Sequence, residues 1–180
     1  AIPAKLKISV FLSSFRIGIS LLLTQLALWA GSASSPSQLS PLKAAASGVP
    51  FVFEPNQGQF HEDVRYLVRA GNYGLFLTDS EWVAVGDGAG FRMRLAGSTG
   101  TQPWKAEEKL PGISNYLVGN DPRKWRTNVP NFSRLKRDGV YPGIDATIDG
   151  AGRKLEYTFR VHAGADPKQI RLAFSSGAEV

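Results

Sequence analysis

The tightest constraint on this chain is a strict alternation near its C-terminal end. In Lys154-Leu155-Glu156-Tyr157-Thr158-Phe159-Arg160-Val161, Leu155, Tyr157, Phe159 and Val161 fall on one face and Lys154, Glu156, Thr158 and Arg160 on the other. Successive side chains of a strand point to opposite sides, so this pattern predicts a half-buried β-strand. Ile144-Asp145-Ala146-Thr147-Ile148-Asp149 alternates in the same way, and Gly150-Ala151-Gly152 joins the two runs. Together they predict an antiparallel hairpin over Ile144–Val161, with its aromatic face in a core.

The first half predicts a meander of short antiparallel strands. Phe51-Val52-Phe53 runs into a Pro55-Asn56-Gln57-Gly58 turn, and Val64–Val68 follows. Gly71-Asn72 leads into Tyr73–Thr78, Asp79-Ser80 into Glu81–Val85, and Gly86-Asp87-Gly88-Ala89-Gly90 into Phe91–Leu95. In the last of these Phe91, Met93 and Leu95 alternate with Arg92 and Arg94. Residues 96–109 read as a polar, irregular surface loop carrying Trp104. Ser114–Val118 resumes extended structure, Ile170–Phe174 supplies a last strand, and Pro130 and Pro142 confine their segments to edges or turns.

Two turns punctuate the second half. Gly119-Asn120-Asp121-Pro122-Arg123-Lys124-Trp125-Arg126 is echoed by Gly164-Ala165-Asp166-Pro167-Lys168-Gln169-Ile170-Arg171. In each, the aspartate can accept from a backbone N–H one turn on, and the proline presets φ for a first helical position. Both predict a single capped turn, with Trp125 and Ile170 turned toward the core.

The N-terminus reads as an address. Lys5, Lys7 and Arg16 precede the 13-residue apolar run Ile17–Trp29, and small residues follow at Ala30-Gly31-Ser32-Ala33. A basic region, an apolar core and a small-residue exit make up a secretory signal peptide, and the core is shorter than the ~20 residues of a membrane span. Gly31 and Ala33 suit the positions before a cleavage point, so residues 1–33 are predicted as a helical signal peptide cut after Ala33. Residues 34–50, rich in Ser, Ala and Pro, read as a flexible linker, and 51–180 as a β-rich domain. The text stops at Val180 with neither a closing turn nor a polar tail, which reads as a fragment of a longer protein.

Composition excludes several chemistries. Without cysteine there are no disulfides, thiolate metal sites or cysteine nucleophiles, and His61 and His162 are the only imidazoles. The formal charge of +6 falls to +3 once Lys5, Lys7 and Arg16 are set aside, an ordinary balance for a soluble domain. No Gly-x-Ser-x-Gly elbow, His-Glu-x-x-His helix or P-loop is present. The glycine-rich Gly86–Gly90 stretch opens a strand rather than a helix, so it offers no phosphate cradle.

Four groups of residues have chemical potential, each with a plain structural alternative. Asp145 and Asp149, on one strand face, with Glu156 across the hairpin, can be drawn as ligands for a hard cation; a solvated polar face is the simpler reading, because calcium loops gather ligands on bends. Glu54, Asp145 and Glu156 supply the two carboxylates of a glycosidase, a test that any acid-bearing β domain passes. Arg123, Lys124, Arg126, Arg134, Lys136 and Arg137 form a basic run with Trp125 and Phe132 interleaved. In an exported protein such a run suits acidic glycans or lipid headgroups better than nucleic acid, and a solvated loop better still. Trp104, taken as exposed, presents a flat apolar face to a sugar ring, while Trp82 and Trp125 are assigned to the core.

Seven segments carry a family resemblance: Phe53–Gln59 (Phe-Glu-Pro-Asn-Gln-Gly-Gln), Val64–Leu67, Ser114–Tyr116, Gly119–Pro122, Trp125–Pro130, Gly139–Asp145 and Leu155–Tyr157. Over about residues 51–176 the chain resembles the N-terminal domain of large bacterial cell-surface proteins bearing SBBP-type β-propeller repeats. The resemblance implies a signal peptide upstream, propeller or Ig-like domains of the same polypeptide downstream as partners, and no catalytic residue or cofactor. The expectation is therefore an all-β antiparallel sandwich or twisted sheet acting as a secreted, non-enzymatic structural module. Carbohydrate binding through Trp104, Arg123, Lys124 and Arg126 is the alternative.

Overall fold

The computed structural model of the protein describes residues 4–10, 50–70, 73–86, 89–150 and 154–176. The apolar run 17–29 and the linker up to residue 49 lie outside these. Among the described residues there are eleven strands: β1 Ala4–Val10, β2 Phe53–Pro55, β3 Tyr66–Ala70, β4 Tyr73–Leu77, β5 Glu81–Gly86, β6 Ala89–Leu95, β7 Lys105–Tyr116, β8 Arg126–Tyr141, β9 Ile144–Asp149, β10 Leu155–Val161 and β11 Leu172–Ser176. Two single 3-10 turns, Pro122–Lys124 and Pro167–Gln169, complete the described elements. The class is all-β, and every pairing is antiparallel.

The 16-residue β8 is the axis of the sheet. Phe132 pairs with Phe53 of β2 and also with Lys109 of β7, while Arg134 pairs with Asp149 of β9 and also with Glu107 of β7. A strand has two edges, so β7 follows one of them, and β2 and β9 share the other end to end. One wing of the sheet runs β9-β10-β1; the other runs β2-β3-β4-β5-β6-β11. Gly150 marks the handover, where the Gly150 N–H donates to the Ser133 carbonyl at 2.9 Å. A Cβ on Gly150 would lie 2.5 Å from the Phe51 carbonyl oxygen, so only glycine fits.

The sheet curls until the wings face each other. Phe53, Leu75, Leu77, Trp82 and Met93 from one wing and Ile144, Ile148, Leu155, Tyr157 and Phe159 from the other form a single buried core with Leu135 and Tyr141 of β8. Trp82 meets Tyr157 edge to face at 6.4 Å. The Tyr141 hydroxyl sits between the carbonyls of Ala96 (3.1 Å) and Arg171 (3.2 Å), tying β8 to the far wing.

The hairpin has the predicted register: Tyr157 faces Ile148 and Phe159 faces Ala146, and all four are buried. Both aspartate caps form, with the Arg123 N–H donating to Asp121 at 3.1 Å and the Lys168 N–H to Asp166 at 2.9 Å. Pro142 and Gly143 (φ 69°) make the tight β8–β9 turn, where a left-handed residue is required.

Four expectations need correction. Residues 105–109 belong to β7 rather than to a surface loop, because β8 supplies a long edge for them to pair with. Pro130 lies inside β8; it pairs with Ile113 just past a register shift in β7, where the ladder is already irregular. Trp125 is only half-buried, since its Nε1 donates to the Gly119 carbonyl at 3.1 Å and holds the ring over its own turn. Residues 4–10, placed in a helical signal peptide, form a strand on β10, with Leu6 opposite Phe159 and Ile8 opposite Tyr157.

Candidate functional site

Folding disperses the basic run. Arg123 is exposed and binds its own cap residue, Asp121, at 3.0 Å. Lys124 is exposed beside it. Arg126 reaches across to the Gln57 carbonyl at 2.8 Å. Arg134 joins Asp149 (2.7 Å) to Glu108, and Lys136 pairs with Asp138 at 2.8 Å. Four of the six are thus engaged locally, and Arg137, the last of them, goes inward.

Of the acidic candidates, the hairpin register sets Asp149 opposite Glu156, but each carboxylate takes a partner of its own. Asp145 accepts from the Gly139 N–H at 2.9 Å and contacts His162 Nε2 at 2.8 Å. Partial burial pushes its carboxyl upward, but the Gly139 N–H and His162 outweigh this and hold it below its ordinary value. Asp149 receives Arg134, while Glu156 lies 3.6 Å from Lys7. Among the described residues no three His, Asp or Glu side chains gather as a metal site. Glu54 is buried, accepts a hydrogen bond from the Tyr116 hydroxyl and lies 3.7 Å from Arg69. Burial, then the Glu54 bond, pushes the Tyr116 phenol up to about 12, so it remains a donor.

Trp104 is 6% exposed, not a surface aromatic. It leads into β7, and the Arg137 guanidinium lies 5.9 Å from its ring centre, within cation–π range. This pair forms one wall of a cavity of about 240 Å³ between the wings. Leu77, Trp82 and Met93 of the long wing and Tyr157 of β10 supply most of the remaining interior. The exposed Asp79, Ser80, Arg94 and Gly97 form its rim.

Sequence position explains how an arginine comes to be inside. Ser133, Leu135 and Arg137 alternate along the buried face of β8, with Arg134 and Lys136 on the other. The period-2 signal was present, but the charge run concealed it. Arg137 is 8% exposed; its Nη1 donates to the Asp79 carbonyl at 2.6 Å and its Nη2 to the Gly100 carbonyl. Burial pulls its pKa below the ordinary arginine value, against an opposing pull from the Asp79 charge. Three side chains lining the cavity each carry a buried polar atom with no partner: Trp82 Nε1, Arg137 Nε and Tyr157 Oη. Buried donors are nearly always satisfied, so three around one cavity form an unusual concentration.

Fold and cavity define an all-β domain in which one curled antiparallel sheet holds a small, half-open cavity. The chain belongs to the family described as a domain of unknown function (DUF7948), whose model matches residues 53–180, from the first residue of β2 onward. Comparison with curated proteins and with solved structures returned no match.

Proposed function

We propose that the domain is a non-catalytic structural and interaction module at the N-terminus of an exported bacterial cell-surface protein, presenting downstream propeller or Ig-like domains. The observation that carries this reading is the way the polar side chains hold strands together. Arg134 links β7 to β9 through Glu108 and Asp149, His162 and Asp145 brace the ends of the hairpin, and Glu54, Tyr116 and Arg69 pin β2 to β7 and β3. The basic, apolar and small-residue order of residues 1–33 supports export. Expression with the native N-terminus, followed by cell fractionation and N-terminal sequencing, tests it. The expected product is exported and begins at Ser34; protein retained inside the cell contradicts the assignment.

A second reading, carbohydrate binding, is favoured by the cavity, where Trp82 and Trp104 lie beside a buried arginine. Its ligand would enter between the wings rather than lie across an exposed aromatic platform.

A further inference from the structure

The outer edge of β10 is long and regular. Its ladders to β9 and to β1 run without a register shift, it holds no proline, and its inward-facing Leu155, Tyr157, Phe159 and Val161 are all buried. Open edges of this kind are templates for another strand, and proteins blunt them with prolines, bulges or inward-pointing charges. β10 carries none of these. Instead Ala4–Val10 lies along it, and that segment belongs to the stretch read as a removable signal peptide.

As a cover, β1 matches this edge imperfectly. It sets Lys5 opposite Arg160, a like-charge pair, and Ser9 opposite Glu156, while Lys7 reaches Glu156 only diagonally, at 3.6 Å. Leu6 stands opposite the buried Phe159 and is still 44% exposed. A second copy of β10 fits better. Laid antiparallel on itself about Thr158, the run Leu155–Val161 sets Glu156 opposite Arg160 twice, Tyr157 opposite Phe159 twice and Leu155 opposite Val161 twice. Opposite charges and aromatic rings directly across a strand pair are stabilising, and the arrangement has the two-fold symmetry common to most homodimers. The position of β1 shows that the fold leaves room for a further strand along the whole of β10.

We propose that removal of residues 1–33 uncovers β10, and that the domain then pairs through this edge with a second copy of itself, joining two sheets into one. The inference rests on the export reading, because the edge opens only when the N-terminal segment is cut away.

The test takes the full chain with a site-specific protease site placed after Ala33, folded and then cut in place. Analytical ultracentrifugation over a concentration series follows it before and after cutting. The uncut chain should stay monomeric. The cut chain should shed the N-terminal segment and approach twice the monomer mass as concentration rises. Glu156→Arg and Arg160→Glu, each alone, should weaken dimerisation about tenfold, because both symmetry-related pairs become repulsive. Mixed in equal amounts, the two cut variants should form a heterodimer as tight as the parent dimer, since each then offers the other the opposite charge. The proposal is overturned if the cut chain stays monomeric, which leaves the edge to a strand of another domain. It is equally overturned if the segment stays on β10 after cutting, if the uncut chain dimerises as well, or if the single variants pair like the parent and mixing changes nothing. The export reading fails separately: protein recovered from cells that still begins at residue 1, beside a cut chain that dimerises, contradicts export and leaves the interface standing.

Discussion

Trp82 on β5 and Tyr157 on β10 belong to opposite wings of the sheet, yet their rings meet at 6.4 Å with 77° between the planes. Aromatic pairs favour this edge-to-face geometry, and here it can arise only if the sheet closes on itself. Phe53 lies on the other side of Trp82 at 6.4 Å, and Phe159 stacks on Tyr157 at 6.2 Å, so the contact extends a continuous aromatic row through the core.

That row makes Phe159 the most consequential single side chain of the hairpin. It is fully buried, and Phe159→Ala should cost about 3–5 kcal/mol in urea unfolding, through lost burial and the cavity left behind. Glu156→Gln, on the outer face beside Lys7, should leave stability close to that of the parent. A benign Phe159→Ala would mean that the hairpin register is shifted by one residue.

Acid should destabilise the domain through specific carboxylates. The Arg65 hydrogen bond, opposed in part by burial, holds Asp79 below its ordinary value. At Asp145 burial acts upward and is outweighed by Gly139 and His162. Each group binds its proton less tightly when folded, so the unfolded chain takes up more protons as the pH falls. The stabilisation is therefore complete above the usual carboxylate range and is lost as the pH drops below about 4. Thermal melts from pH 7 to pH 3 should show this fall, and Asp79→Asn with Asp145→Asn should flatten it. An unchanged slope in the double variant would contradict the assignment.

Removal of the N-terminal segment should register on β10. Ala4–Val10 covers that edge along its whole length, with Lys7 reaching Glu156. A chain beginning at Ser34 loses this partner strand, and hydrogen exchange over Leu155–Val161, measured where that chain is monomeric, should be faster than in the full chain. Equal protection in the two forms would mean that β1 does not hold this edge.

Legibility in the sequence followed the hydrophobic alternation. The hairpin and β6 declared themselves because one face of each is buried, and the Asp-Pro turns because their chemistry is local. The start of β7 was hidden: Lys105, Glu107, Glu108 and Lys109 are exposed, so pairing with β8 leaves no apolar period to detect. Trp104 and Arg137 were misplaced for related reasons. A tryptophan among polar neighbours and an arginine in a charge run both read as surface, although Arg137 lies two residues beyond the buried Leu135 on the same face. The joining of β2 and β9 along one edge of β8 is a long-range fact with no local signature.

The account depends most on closure of the two wings around the cavity, and one measurement tests that directly. In an isotope-labelled sample, nuclear Overhauser contacts between the ring protons of Trp82 and Tyr157 should be visible, with further contacts from Trp82 to Phe53. If Trp82 and Tyr157 are both assigned and contact only their own strand neighbours, the wings are splayed, the cavity does not exist, and the fold and the carbohydrate reading fail together.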